Sequence, residues 1–523
     1  MATNTETKNY FGRRVLYTSE KEITRENLIS VLSSVLPDFT TNQTEIEYLY
    51  NYYRGDQPVL SREKKHRPEI CNKVVENHAH EIVSFKVGYD FGEPIQYIRR
   101  ATKSGTDVKE NSKLLEATDD TEITSKIALL NEYMFTQDKA TQDKDLAEWF
   151  FICGTGYRMV LPTEDELDAE ICPFEIDTLD PQYTAVVYYR GFGKKPVMSI
   201  QEVTVGEDKI YCIYTPTDYF EITVDGSSSE SDLSEDSITK AEKHILGCIP
   251  IVEYPANSAR IGAFELVMSL LDEINNVESN RIDGIEQFVQ AFMKFINVRI
   301  DKDTFEELAE MGAISFKSEP NCPADIDIVS SELNQQQVQT VIDHLYQMVL
   351  IICSMPDRNG TNRTTGDTGQ AVILRDGWSA AAAASKDVEA MFKKSEKAFL
   401  KIVLKIILES ENTEISLSDI DIKFIPNKTD NLLTKTQAMQ TMLEAGINPQ
   451  IAIAKSGLFG DPEQVYLDSL PYLRNKWKTK EESDADNPLN GQFNQNNQND
   501  QIEDGDDGDN YTPANNKPNP VEE

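Results

Sequence analysis

A stripe of apolar residues between positions 261 and 296 sets the strongest constraint on this chain. Phe264, Val267, Met268, Leu271, Ile274, Val277, Ile282, Ile285, Phe288, Val289, Phe292 and Phe295 recur at three- and four-residue steps, as one face of a helix requires. No proline interrupts the stripe, so the spacing predicts one rod, roughly 50 Å long at ~1.5 Å per residue. Its middle, Asn275 to Arg281, is polar on nearly every side. A helix inside a globular core does not look like that, whereas a helix forming a thin wall, wet on two sides, does. A second stripe, Val338, Val341, Ile342, Leu345, Val349 and Ile352, starts near Ser331-Glu332 and stops at Met355-Pro356, where proline ends the hydrogen-bond ladder.

Between the two rods, residues 297–330 read as a compact insert. A strand is expected at Val298–Ile300, an acidic helix at Thr304–Met311, and short strands at Ala313–Phe316 and Ile326–Val329. Its exposed charges are Asp301, Asp303, Glu306, Glu307 and Glu310, and a solvated helix face accounts for most of them. After the second rod, Asp357 to Gly369 has no apolar residue and three glycines, the composition of an exposed loop. It carries Arg358, Asn359, Asn362, Arg363 and Thr364. From Gln370 to about Glu409 a third long helix is expected, kinked at Gly377-Trp378. Its lysines 393, 394, 397, 401 and 405 read as a polar face balancing the chain's acidic excess rather than as a membrane or DNA contact.

Ahead of the rods, residues 1–40 read as a polar arm with a short amphipathic helix (Leu28, Ile29, Val31, Leu32, Val35, Leu36) ended by Pro37. Packing on a neighbouring subunit and an ordinary surface helix are both open. A second helix, Glu45 to Tyr53, leads into the turn Arg54 to Pro58, and Glu122 to Phe151 is helical. Gly154 and Gly156 suit a helix cap and a tight turn into a strand better than a phosphate loop, because no third glycine follows. Alternation at Ala185–Tyr189, Ile210–Tyr214, Tyr219–Val224 and Ile249–Tyr254 predicts a β-meander, with a solvated loop over 225–237. A strand at Ile415–Ile425, helices at 432–445, 449–456 and 462–472, and a tail with twelve acidic residues and one lysine from Glu481 complete the chain.

Helix, insert, helix, polar loop, helix is the order found in portal proteins of tailed bacteriophages, and the chain resembles the siphophage type of that family. The phrases YYRGDQPVL (52–60), NKVVENHAHEIVSFKVGYDFGEPIQY (72–97) and GTGY (154–157) add to the resemblance, with Lys86 to Tyr97 matching a hairpin expected in the family. The resemblance implies an α+β, mainly helical portal fold and a ring oligomer, usually a dodecamer. Its parts would be an N-terminal arm (1–40), a wing (41–260), stem helix 1 (261–296), a clip (297–330), stem helix 2 (331–355), a tunnel loop (356–369), a long kinked helix and strand returning to the wing (370–425), a helical crown (426–478) and a disordered acidic tail (479–523). It also implies a channel for double-stranded DNA during packaging and ejection, with the tunnel loop projecting into it. The acidic clip residues would be presented to the terminase motor and later to a head-completion or adaptor protein. Major capsid and scaffolding proteins would be further partners, and the place of action would be the capsid portal vertex of the virion after assembly in the host cytoplasm.

The chain's 523 residues carry 51 Lys and Arg against 89 Asp and Glu, a formal charge of -38. That argues against a protein whose main task is to grip nucleic acid, but not against one that DNA slides past. Seven scattered cysteines without a CxxC read as free buried thiols. No apolar stretch approaches a bilayer span, and no signal peptide or membrane partner is expected. There is no G-x-x-x-x-G-K-[ST], no G-x-S-x-G and no HExxH, so we expect no enzyme, no cofactor and no metal. The one histidine pair, His78 and His80 beside Glu81, would point two imidazoles apart on a helix. Two other readings stand beside the portal: an oligomeric adaptor or scaffold that never contacts DNA, and an enzyme built on His78, His80 and Glu81.

Overall fold

A computed structural model describes residues 12–65, 67–100, 113–164, 168, 171–225, 233–289, 292–296, 325–329, 335–357, 377–425, 432–459 and 462–476. The elements in chain order are β1 (Leu16–Thr18), α1 (Arg25–Arg54), α2 (His78–Asp90), β2 (Gln96–Arg99), α3 (Lys113–Thr136), α4 (Lys139–Cys153), β3 (Thr155–Pro162), β4 (Phe174–Leu179), β5 (Thr184–Tyr189), β6 (Pro196–Val205), β7 (Asp208–Tyr214), β8 (Asp218–Val224), β9 (Ile238–Lys243) and β10 (Ile251–Pro255). They continue with α5 (Met268–Val289), β11 (Phe292–Ile296), β12 (Asp325–Val329), α6 (Gln335–Ile352), α7 (Trp378–Glu411), β13 (Ile420–Lys423), α8 (Leu432–Glu444), α9 (Pro449–Ser456) and α10 (Pro462–Lys476). The fold is mixed α+β, and the chain divides into units of residues 1–433 and 434–523.

The first unit holds two main cores. Sheet β1-β5-β6-β7-β8-β9 contains three of the four strands expected in the meander, with β1 added parallel to β5 at one edge. The fourth, expected at Ile249–Tyr254, is β10, which pairs with β3 in the separate sheet β10-β3-β4 because its register partner lies at 155–159. The N-terminal half of α1 (Leu28, Val31, Leu32, Val35, Leu36, Phe39) covers this sheet. The other half (Ile46, Leu49, Tyr52, Tyr53) enters the larger core with α2 to α7. Residues 25–54 are therefore a single helix spanning two cores of this chain rather than a short surface helix. Pro37 lies inside α1 rather than ending it, and the two helices expected at 28–36 and 45–53 are one. An interior proline costs about 3 kcal/mol, but the buried stripe runs unbroken through position 37 from Leu28 to Tyr53 and outweighs it.

Other expectations need correction. Lys86 to Tyr97 is not a hairpin: Lys86–Asp90 complete α2, and β2 pairs instead with β13, so Tyr97 lies opposite Ile422. The helix expected over 122–151 is broken at Asp138, whose φ of 48° is left-handed and cannot continue the ladder. The first rod is shorter than its stripe, because α5 ends at Val289 and residues 292–296 form β11, antiparallel to β12. A short apolar run satisfies either period, and here a partner strand decides it. Gly377 is left-handed at the N-terminus of α7, so the expected kink is a helix start. The strand expected at 415–425 is confined to Ile420–Lys423 behind a 3-10 turn at Leu417–Asp419.

Gly154 does cap α4, with φ 79°, and turns into β3. A Cβ there would lie 2.3 Å from the backbone of Arg260, so only glycine lets the chain leading to α5 cross at that point. In the second unit, Asn448 caps α9, left-handed Gly457 ends it, and the Gly457 carbonyl accepts from Lys435.

Five elements of the first unit meet at a buried ionic cluster. Lys139 on α4 contacts Asp143 at 2.7 Å and Glu396 on α7 at 2.9 Å. Arg158 on β3 contacts Asp143 at 2.6 Å and lies 3.8 Å from Glu396. The hydroxyls of Tyr97 (β2) and Tyr254 (β10) donate to the Glu396 carboxylate. Arg158 and Glu396 are fully buried, and the four charges sum to zero. Burial would push the Glu396 carboxyl up, but Lys139 and Arg158 outweigh it and hold it below the usual range. The rings of Tyr254 and Phe399 face the Arg158 guanidinium at 5.5 and 5.3 Å.

Glu396→Gln is expected to cost about 3–5 kcal/mol, since it leaves one buried cation uncompensated. Urea denaturation checks this, and Glu396→Gln with Lys139→Met should recover part of the loss.

Candidate functional site

The α5 helix meets an unusual partner. Residues 72–76 have no sheet partner, and their alternate amides are held by side chains of α5 instead. Asn72 N–H donates to Asp283 at 2.7 Å, Val74 N–H to Ser279 at 3.0 Å, and Glu76 N–H to Asn275 at 2.8 Å. The spacing has a simple cause. Two residues of extended chain advance about 6.6 Å and four residues of helix about 6.0 Å, so alternate amides meet every fourth helical residue. Asp283 also takes Arg62 and Lys64, at 2.9 and 2.8 Å. Burial pushes its carboxyl up, but Lys64 and the Asn72 donors outweigh that and hold it low. Asn275 donates in turn to Gln57, and Tyr52 to Asp272 at 2.9 Å.

The polar middle of the rod is thus not a wet wall on this side. Asn275 and Ser279 are fully buried and Asp283 nearly so, under a strap formed by residues 56–65 and 67–77. Sequence reasoning missed this contact, although Asn275, Ser279 and Asp283 at four-residue steps formed a second, polar stripe that pointed to it. On another side, Arg281 bonds Gln335 and Gln339 of α6, tying α5 to α6.

The remaining polar anchors tie α2 to α6. His78 lies between Glu76, at 3.0 Å, and Glu81, at 2.8 Å, with its ring 4.6 Å from that of Tyr346. The Tyr346 hydroxyl donates to Glu81 at 2.9 Å. Burial would lower the imidazole pKa, but Glu76 and Glu81 raise it to about 9. His80 instead packs on Tyr53, 5.0 Å between centroids. The two histidines do point apart, and among the described residues no group of three or more ligating side chains could hold a metal.

Lys86 donates to the Cys353 carbonyl at 2.9 Å, and Trp378 packs against Phe85 and Tyr89 of α2. The Cβ position of Gly377 lies 3.6 Å from the Met355 carbonyl oxygen, so the chain leaves after α6 and returns at α7 side by side. The expected loop residues Arg358, Asn359, Asn362, Arg363 and Thr364 lie outside the described residues. So do the insert's acids Asp301, Asp303, Glu306, Glu307 and Glu310. The base of the insert is described: Ile296 pairs with Asp325, so that excursion also begins and ends on adjacent strands.

The family profile described as phage portal protein, SPP1 Gp6-like, matches residues 32–484. The chain belongs to the phage portal protein family. A solved structure titled "Neck of native GTA particle computed with C12 symmetry" is similar over 73% of this chain and 90% of that one, at 10% identity and a TM-score of 0.37. Family membership rests on the sequence match. No curated protein matches the chain. No helix among the described residues is long and apolar enough to cross a membrane.

Two outcomes are expected. Asp283→Ala should cost about 1–3 kcal/mol by orphaning the Asn72 amide and Lys64, with faster hydrogen exchange at residues 72–76 and earlier proteolysis at 62–73. The raised pKa of His78 means its stabilisation is complete below pH about 6.5 and fades as pH rises through about 9. Urea midpoints of the native chain and His78→Gln, compared across that window, should converge at the alkaline end.

Proposed function

We propose that this chain assembles as a ring, a dodecamer, at one vertex of a phage capsid, where it forms the conduit for double-stranded DNA during packaging and ejection. The family match over residues 32–484 carries this reading. Apolar residues left exposed on the paired rods, Ile282 and Ile285 on α5 and Val341, Ile351 and Ile352 on α6, support it, because neighbouring copies in a ring would cover them. The formal charge of -38 supports it too: an acidic wall repels phosphates and lets a duplex slide without sticking.

In this reading the loop after α6 faces the channel, and Arg358 and Arg363, with Asn359, Asn362 and Thr364, contact the DNA backbone without reading bases. The insert, with Asp301, Asp303, Glu306, Glu307 and Glu310, is presented to the terminase motor and later to a head-completion protein. Major capsid and scaffolding proteins meet the ring's outer surface. The protein is a passive conduit, and the energy of packaging comes from the separate motor.

Negative-stain electron microscopy of the purified chain should show closed rings with an axial hole about as wide as a DNA duplex. Compact dimers or small globular particles would reject the conduit in favour of an adaptor. Within the conduit reading, the double variant Arg358→Ala, Arg363→Ala should assemble normally and package DNA more slowly in an assay with its motor. Unchanged packaging would remove the arginines' role.

A further inference from the structure

The six-stranded sheet carries a feature that neither the stem nor the DNA path uses. Where the N-terminus of α1 meets β6, β8 and β9, a cavity of about 1000 Å³ opens at the surface. Its apolar lining comes from Ile23, Tyr189, Phe192, Val197 and Phe220. Ile23, Val197 and Phe220 belong to the core beneath the sheet, whereas Phe192 at the lip is fully exposed. A bare aromatic beside an open cavity is a costly arrangement for a chain with nothing to place there.

Two independent observations indicate the occupant. The first is charge. Lys21, Arg25, Lys195 and Lys243 line the same opening, are exposed, and have no carboxylate partner among the described residues. They outnumber the carboxylates there, Glu22, Asp218 and Glu242, and Glu242 is already paired with Lys240 at 3.2 Å. In a chain of formal charge -38 this is a local reversal of sign. The second is the sheet edge. β9 is the last strand of the sheet, exposed along nearly all its length, and among the described residues no strand flanks its outer side. Ala241, Glu242 and Lys243 of β9 are themselves part of the cavity wall, so the open edge and the apolar opening are one surface.

We propose that this surface docks an acidic, extended segment of a partner protein. The segment would add as a strand beside β9 and place one large apolar side chain in the cavity next to Phe192. Main-chain pairing along the edge would supply affinity, and the pocket and the cationic rim would supply selectivity. The exposed lysines of β9 also discourage indiscriminate edge pairing, which narrows the choice to acidic strands.

The test uses the full chain in its purified assembled form and a fluorescein-labelled peptide, Asp-Glu-Val-Phe-Val-Glu-Asp, followed by anisotropy. The acidic peptide should bind saturably, less tightly as salt is raised, and about tenfold more weakly when its Phe is replaced by Ala. A version with Lys in place of every acid should not bind. In the protein, Lys195→Glu with Lys243→Glu should reverse the preference, and Phe192→Ala should weaken the acidic peptide alone. The three side chains changed at the rim, Phe192, Lys195 and Lys243, are exposed, and thermal melts of the variants confirm that they fold.

Equal binding of the acidic and basic peptides, binding of neither, or an unchanged affinity in the charge-reversed variant overturns the proposal. Stronger binding of a peptide of residues 499–512, itself acidic, would assign the surface to this chain's own tail and overturn it as well. A Lys195→Cys thiol that resists labelling in the assembly but reacts in the dissociated chain would assign it to a second copy, with the same consequence.

Discussion

The ionic cluster of Lys139, Asp143, Arg158 and Glu396 is the point on which the first unit depends. Elements from five places in the chain reach it: α4, β3, α7, β2 and β10. Buried ions contribute little net stability when paired, yet one of them alone is very unfavourable. The cluster therefore acts mainly as a condition. The long helix α7 fits only with Glu396 between the two cations, and β2 and β10 fit only with their tyrosines on that carboxylate. Any register of α7 that moves Glu396 away leaves two cations against a single Asp143. An apolar core of the same volume would tolerate several registers. This one tolerates a single arrangement, which suits a long helix that must seat several distant strands at once.

Local patterns were legible in the sequence where local physics decides. The stripes of α5 and α6, the meander β5 to β8, the Gly154 cap and the helix Pro449–Ser456 follow from period, capping and turn chemistry within short windows. The failures have a common cause, which is a partner distant in sequence. Pro37 looked like a helix end because its cost is local, whereas the sheet that compensates it is formed mostly by residues beyond 180. Lys86 to Tyr97 looked like a hairpin, but the true partner of β2 lies at 420–423. Phe292 and Phe295 continued a helical period until β12 claimed their backbone. The four charges of the buried cluster, spread from 139 to 396, carry no pattern that a single sequence can reveal.

The expected loop with Arg358 and Arg363 and the expected acidic insert lie outside the described residues, but the structure describes where each is rooted. Both roots are narrow: β11 beside β12 for one, Met355 beside Gly377 for the other. The second root is braced from α2, with Lys86 reaching the Cys353 carbonyl and Trp378 seated on Phe85 and Tyr89. Segments of free composition can thus vary without disturbing the body that carries them.

The strap on α5 has one further consequence. Its rungs advance by about 6.6 Å while those of the helix advance by about 6.0 Å. Over three rungs the two scales drift apart by about 1.2 Å, close to what a hydrogen bond tolerates. The pair works as a vernier that coincides over one short interval and then disengages, so its own geometry fixes where the strap leaves the rod. Parity matters as well as length. One residue gained or lost within 72–76 would turn the amides beyond it to the opposite side, so the fastening is counted in whole pairs of residues.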